Sequence, residues 1–290
     1  MKSHSNKFKY KHSLGQNFII DEFLLDDIVD LSGINSNDYV LEIGPGNGAL
    51  TKSLCGKGKH IISVEIDKSL MPLLNSNLKD YSNVTVVNAD YLNYDFNNII
   101  KTFNTFGYDE SKDHIKVVAN LPYYITSPII NSLLLNVHIS EMTIMVQKEV
   151  AERIVAKPNS RDYGILTLAT EYFARTSLLM IVSKNCFYPM PKVDSAVVKF
   201  IKNDNIIDLT NESNYKISEN PDYKKLFSLI KSSFSQRRKK LINSITNTTN
   251  IDKTMLLETF HQLGFDENTR AENLSLDDYK NLLAKIYLFI

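Results

Sequence analysis

Four short apolar runs within the first 120 residues each stop at a polar or glycine-rich corner. Tyr39–Ile43 runs into Gly44-Pro45-Gly46-Asn47-Gly48, and His60–Val64 into Glu65-Ile66-Asp67. Val84–Val87 runs into Asn88-Ala89-Asp90, and Ile115–Ala119 into Asn120-Leu121-Pro122-Tyr123. Runs this short and this apolar read as buried strands. Met142–Val146 supplies a fifth and Ala196–Ile201 a last one, while Ala49–Leu54, Ile129–Leu135 and Lys148–Ala156 suit helices. Strands alternating with helices predict an α/β fold with a parallel sheet covered on both faces. Ligands of such sheets bind beyond the carboxyl ends of the strands, where the strand order reverses. All four corners fall on that side.

After residue 202 the pattern changes. Asn203–Asp222 is polar and rich in Asn, and reads as a connector. Beyond it only helical patterns follow: Tyr223–Ser233, Lys239–Ile245, Thr254–Leu263 and Leu276–Ile290. The chain is therefore expected to divide into a sheet domain over 1–202, opening on a basic arm over 1–20, a connector over 203–222, and a small C-terminal all-helical domain over 223–290. A second polar stretch, Asn93–Asp113, reads as a loop inserted between the third and fourth strands.

Charge balances at 33 basic and 33 acidic residues, so no global field advertises nucleic acid. Basic residues nevertheless cluster twice, around Lys7, Lys9 and Lys11 and again at Arg237-Arg238-Lys239-Lys240. Two cysteines far apart fit a reduced compartment. No apolar run reaches the roughly 18 residues of a membrane span, and the basic N-terminus lacks a signal peptide's apolar core. A cytoplasmic protein with no membrane association is expected. The histidines are scattered without metal-ligand spacing, so no metal site is expected.

The corners carry the chemistry. Gly44-Pro45-Gly46-Asn47-Gly48-Ala49 matches the dinucleotide fingerprint G-x-G-x-x-G/A, with Glu65 about twenty residues further on. Such a loop accepts the pyrophosphate of a dinucleotide, and equally the carboxylate of S-adenosylmethionine; Glu65 would hold ribose hydroxyls in either case. Asp90 and Asn120 continue the polar rim over the next two strand ends, as an adenine amine and a reacting group require. A hydride-transfer enzyme needs an acid or base for its substrate hydroxyl, and no His or Lys closes a strand here. Methyl transfer is the favoured reading. At the fourth corner an amide, a carbonyl held at a fixed angle before Pro122, and the flat face of Tyr123 suit an exocyclic amine on a planar ring. Each corner also has a plainer reading as a turn or a capping carboxylate.

Together these segments resemble the rRNA adenine dimethyltransferase family over nearly the whole chain. The matching stretches are His12-Ser13-Leu14-Gly15-Gln16-Asn17-Phe18, Glu42–Gly48, Val64–Asp67, Asn88–Asp90, Asn120–Tyr123 and Phe187–Val197. The resemblance implies a Rossmann-like class I S-adenosylmethionine-dependent methyltransferase sheet with a small C-terminal helical domain, the product being S-adenosylhomocysteine. It assigns Asn17, Ile19, Gly44, Gly46, Glu65, Asp90 and Asn120 to the cofactor. It assigns Asn120, Leu121, Pro122, Tyr123 and Phe187 to catalysis, with Tyr123 and Phe187 stacking on an extruded adenine. RNA contacts fall to Lys9, Lys11, Arg237, Arg238, Lys239 and Lys240. Pro191–Val198, Phe234–Leu241 and Arg270–Ser275 resemble the branch that dimethylates two adjacent adenosines of 16S rRNA, so the expected partner is the small ribosomal subunit, met by a monomer. Three alternatives stay open: the large-subunit branch that confers macrolide resistance, a non-catalytic RNA-binding assembly factor, and a DNA adenine methyltransferase.

Overall fold

The computed structural model describes residues 17–203, 220–236 and 238–287. Among them, seven strands form one sheet: β2 (Tyr39–Ile43), β3 (His60–Glu65), β4 (Val84–Asn88), β5 (Ile115–Asn120), β6 (Ile139–Gln147), β7 (Ala174–Val182) and β9 (Ser195–Lys202). Their order is β4-β3-β2-β5-β6-β9-β7. β2 lies parallel to β3 and to β5, β3 to β4, and β5 to β6. The chain builds outward from β2 to β4 and then returns to lay β5 on the other flank of β2. The switch point is therefore between β2 and β5, whose register pairs Tyr39 with Ile115 and Leu41 with Val117. A separate two-stranded ribbon pairs β1 (Phe18–Ile19) with β8 (Phe187–Tyr188), antiparallel.

β2 and β3 are buried at every position, as central strands covered on both faces must be. Helix α1 (Glu22–Ser32) covers one face. The Asp21 carboxylate accepts the Phe23 and Leu24 N–H groups, and Gly33 ends the helix at φ 69°. Its Leu24, Leu25, Ile28 and Val29 pack with α2 (Ala49–Cys55) and the sheet residues Val40, Ile61 and Val118. Burial of each such side chain contributes about 1.5–3 kcal/mol.

Three elements differ from the sequence pattern. Asn93–Asp113 is not a loop: it carries a helix, Phe96–Asn104, with the Asp95 side chain capping Asn97 N–H at 3.0 Å. Ile99, Ile100 and Phe103 are buried, and Phe103 meets Tyr39 edge-on with ring centroids 5.4 Å apart. The apolar spacing 96, 99, 100, 103 is helical, but Asn, Thr and Lys between these positions mask it. The sequence pattern also offered no element for Ile165–Phe173 and Ala174–Val182, a helix and a strand. Phe173 passes directly into Ala174 without a Gly, Pro or Asn to mark the change.

The chain divides into two compact units, one comprising residues up to Lys148 with 178–200, the other 149–177 with residues from 201 onward. Residues 149–177 thus group with the C-terminal helices, whereas the sequence pattern placed them with the sheet. Among the described residues, the second unit holds helices Pro221–Phe234, Leu241–Thr246, Lys253–Leu263 and Leu276–Ile286, joined by Ile165–Phe173 and by all but the first residue of Lys148–Ile154. They share a core of Leu168, Leu229, Ile230, Leu241, Ile245, Phe260, Tyr279 and Leu282.

Candidate active site at the strand switch point

The loop after β2 turns three times through left-handed backbone, at Gly44 (φ 72°), Gly46 (φ 62°) and Gly48 (φ 81°). Glycine is required twice over at position 46. Any other residue would be strained there, and a Cβ would stand 2.7 Å from the Phe18 ring. The next corner is tied to this loop. Glu65 is buried; its Oε2 accepts the Gly46 N–H at 3.1 Å and its Oε1 the Asp67 N–H at 2.7 Å. Burial raises the Glu65 pKa, while the Asp67 and Gly46 N–H groups pull it back.

Across the switch point stands the Asn120 corner. A Cβ on Gly44 would lie 3.8 Å from both the Asn120 carbonyl oxygen and Pro122 Cδ. Asn120 Nδ2 donates to the Asn17 carbonyl at 3.4 Å, and its side-chain oxygen makes no hydrogen bond among the described residues. Leu121 is buried, its N–H held by the Met145 carbonyl at 3.2 Å. The Pro122 carbonyl accepts Thr126 Oγ1 at 3.1 Å and Ile125 N–H at 3.3 Å, closing a short turn over Tyr123–Ile125. Tyr123 Oη lies 2.7 Å from Ser195 Oγ. Burial, ahead of a smaller contribution from Asp194, raises the Tyr123 pKa, and the Ser195 bond opposes the rise.

These corners line one cleft. It brings together Asn17, Ile19, Gly44, Gly46, Glu65 and Asn120 of the expected cofactor set, and Leu121, Pro122 and Tyr123 of the expected catalytic set. Two expected residues stand elsewhere. The Asp90 carboxylate closes its own turn, accepting the Leu92 N–H at 3.1 Å and Asn93 Nδ2 at 2.6 Å. Phe187 is 2% exposed, paired with Ile19, and belongs to the apolar core that α1 and α2 also enter. Of the expected RNA contacts, Lys9, Lys11 and Arg237 lie outside the described residues, as does His12–Gln16. Arg238, Lys239 and Lys240 are exposed on the turn between helices Pro221–Phe234 and Leu241–Thr246.

Among the cleft residues to which the sequence assigns no role, three bear on the chemistry. Phe18 packs its ring on Gly46. Tyr124 is exposed beside Tyr123. Glu42 is buried, with Oε2 accepting Thr51 Oγ1 at 2.6 Å and Ser63 Oγ at 2.7 Å and Oε1 without a partner. Burial pushes its carboxyl up to about 7. The signal was present for Glu42, since an acid inside Val40-Leu41-Glu42-Ile43 must be buried.

The residues fit a nucleoside-bearing methyl donor: a loop that only glycine can form and a buried carboxylate meet at the switch point. The family model for ribosomal RNA adenine dimethylase matches residues 7–287. A Clostridium botulinum protein named ribosomal RNA small subunit methyltransferase A is 43% identical over 282 residues, covering 97% of this chain and 95% of that protein. Its Clostridium acetobutylicum namesake is 39% identical over 281 residues, at 97% and 95% coverage. A dimethyladenosine transferase from Plasmodium falciparum superposes with a TM-score of 0.75 at 25% identity, covering 94% of this chain and all of that one (100%). The 23S rRNA methyltransferase ErmE shares the fold, with a TM-score of 0.67 at 22% identity over 93% of this chain and 100% of that one. Fold and site define a methyltransferase built on a Rossmann-like sheet. Within that class, the chain belongs to the ribosomal RNA adenine dimethylase family.

Proposed function

We infer that this protein transfers methyl groups from S-adenosylmethionine to the N6 amines of two adjacent adenosines near the 3′ end of small-subunit (16S) rRNA, giving N6,N6-dimethyladenosines. The observation that carries the reading is the approach of Gly44 to the Asn120–Pro122 corner across the β2–β5 switch point. A donor held on the glycine loop and an amine held at the corner would lie side by side.

S-adenosylmethionine, when bound, supplies an electrophilic methyl group on a sulfonium. Gly44, Gly46 and Asn17 would hold its methionine end, and Glu65 its ribose hydroxyls. The adenine amine is a weak nucleophile because its lone pair is delocalised into the ring. The Asn120 side-chain oxygen and the Leu121 carbonyl accept its two N–H groups, favouring a pyramidal nitrogen with a localised lone pair. No strong base is needed before attack, since the proton becomes acidic only as the nitrogen is alkylated. Alignment supplies much of the remaining acceleration. Tyr123 stacks on one face of the extruded base and Phe187 on the other; for Phe187 this requires a movement out of its buried position. Extrusion costs a few kcal/mol, least in a loop. Asp90, released from its bonds to Leu92 and Asn93, would hold the adenine of the cofactor.

The small-subunit substrate rests on the two clostridial relatives, whose names specify it and whose identity runs nearly end to end. Among the described residues no helix is long and apolar enough to cross a membrane. The protein on this reading acts as a monomer in the cytoplasm. The test is transfer of labelled methyl from S-adenosylmethionine to small ribosomal subunits lacking these methyl groups. Stoichiometric labelling of the rRNA is expected, and no transfer to any ribosomal particle would overturn the reading.

A further inference from the structure

Ser195 has no exposed surface and sits at the start of β9 beside the apolar Ala196, Val197 and Val198. Burying a hydroxyl without a partner costs free energy, and alanine would fill such a position more cheaply. Its hydroxyl meets Tyr123 Oη at 2.7 Å. The phenolic oxygen lies on the axis of the second side-chain torsion, so a bond there fixes the first torsion and with it the direction in which the ring points. The preceding residue makes a matching attachment. Asp194 Oδ1 accepts the Lys184 N–H at 3.0 Å, and its carbonyl accepts the Lys148 N–H at 3.0 Å. Lys184 opens the turn Lys184–Cys186, which leads directly into Phe187. Adjacent residues thus hold Tyr123 and the turn before Phe187.

We propose that Ser195 is a positioning residue for methyl transfer: its hydroxyl fixes the direction of the Tyr123 ring toward the target adenine, and Asp194 anchors the turn from which the Phe187 side chain swings out of the core. The proposal rests on the stacking role of Tyr123 given above. Ser195 touches neither adenine nor methyl donor; it acts through Tyr123.

The test is a double-mutant cycle on the full-length protein with small-subunit acceptor. Ser195→Ala and Tyr123→Phe each remove one partner of the bond. Each is expected to lower kcat about 5- to 10-fold, the worth of one hydrogen bond. The double variant should fall no further than either single one, because both remove the same interaction. Ser195→Thr, which keeps the hydroxyl, should restore kcat to within about twofold. Calorimetric affinity for S-adenosylhomocysteine should stay unchanged in all of them. With 2-aminopurine in place of the target adenosine, Ser195→Ala should alter the fluorescence of the bound RNA. Losses that multiply in the double variant, a Ser195→Thr variant as impaired as Ser195→Ala, or full activity in Tyr123→Phe would each overturn the proposal. Tyr123→Ala separates it from the reading beneath. Full activity there removes the stacking role itself, whereas an inactive Tyr123→Ala with multiplicative losses removes only the positioning role.

Discussion

Glu65 Oε2 accepts the Gly46 N–H at 3.1 Å, so the carboxylate closing β3 also shapes the loop closing β2. On the proposed reading one side chain would serve the cofactor twice, through its own acceptor oxygens and through the loop it holds. Glu65→Gln keeps the volume but replaces one acceptor oxygen by a donor, so it retains only one of the two backbone bonds. Calorimetry should show affinity for S-adenosylhomocysteine reduced about 10- to 100-fold, as loss of one or two charge-assisted hydrogen bonds predicts. Unchanged affinity would remove Glu65 from the cofactor site.

The buried Glu42 makes stability depend on pH. Its folded pKa is about 7 against 4.5 for the free side chain. The folded state thus binds the extra proton between these values, and the contribution to stability, full below pH 4.5, is lost as pH rises through 7. His60 works oppositely. Burial lowers its pKa to about 4 from 6.5, so its contribution is present above 6.5 and lost as pH falls toward 4. Glu42→Gln isolates the first effect by difference. Thermal melts should show the variant gaining on the parent protein as pH rises from 5 to 8, by an amount on the order of 2–3 kcal/mol. A pH-independent difference would show that Glu42 is ionised throughout.

Asn120 is assigned to the amine that reacts. Asn120→Ala should therefore lower kcat by at least about 100-fold, since it removes an interaction made to the reacting nitrogen. Its cofactor affinity, measured with S-adenosylhomocysteine, should change much less. Equal loss of both would place Asn120 in the cofactor site alone.

The exposed turn at Arg238, Lys239 and Lys240 is assigned to phosphate binding. Replacing Arg238 and Lys239 by alanine should weaken RNA binding and reduce the slope of log K against log salt by about 0.7–0.9 for each phosphate no longer neutralised. An unchanged slope would remove the assignment.

How much of this was legible before the fold was known depends on what kind of order each part needs. Strands β2 to β5 were legible because they are short, apolar and end at Gly, Glu, Asn or Asp corners, whereas β7 was not, because Phe173 passes into it without a turn residue. Co-location of Gly44, Glu65 and Asn120 followed from the switch-point rule without any tertiary information. Phe96–Asn104 was missed because its apolar face occupies only positions 96, 99, 100 and 103 amid polar residues. The Ser195–Tyr123 bond was not readable at all: it joins positions 72 residues apart, and only the placement of β9 brings them together. Asp90 and Phe187 mark the opposite case. Both belong to expected motifs, yet each side chain satisfies itself locally in this structure, one within its own turn and the other in the core.

The proposed function stands or falls on which adenosines are modified. Undermethylated small subunits and naked large-subunit rRNA should be offered to the protein in parallel, with S-adenosylmethionine, and the modified nucleotides mapped. Two neighbouring N6,N6-dimethyladenosines near the 3′ end of the small-subunit rRNA are expected, and none in the large-subunit rRNA. A single dimethylated adenosine in large-subunit rRNA, with the small subunit untouched, would refute the assignment.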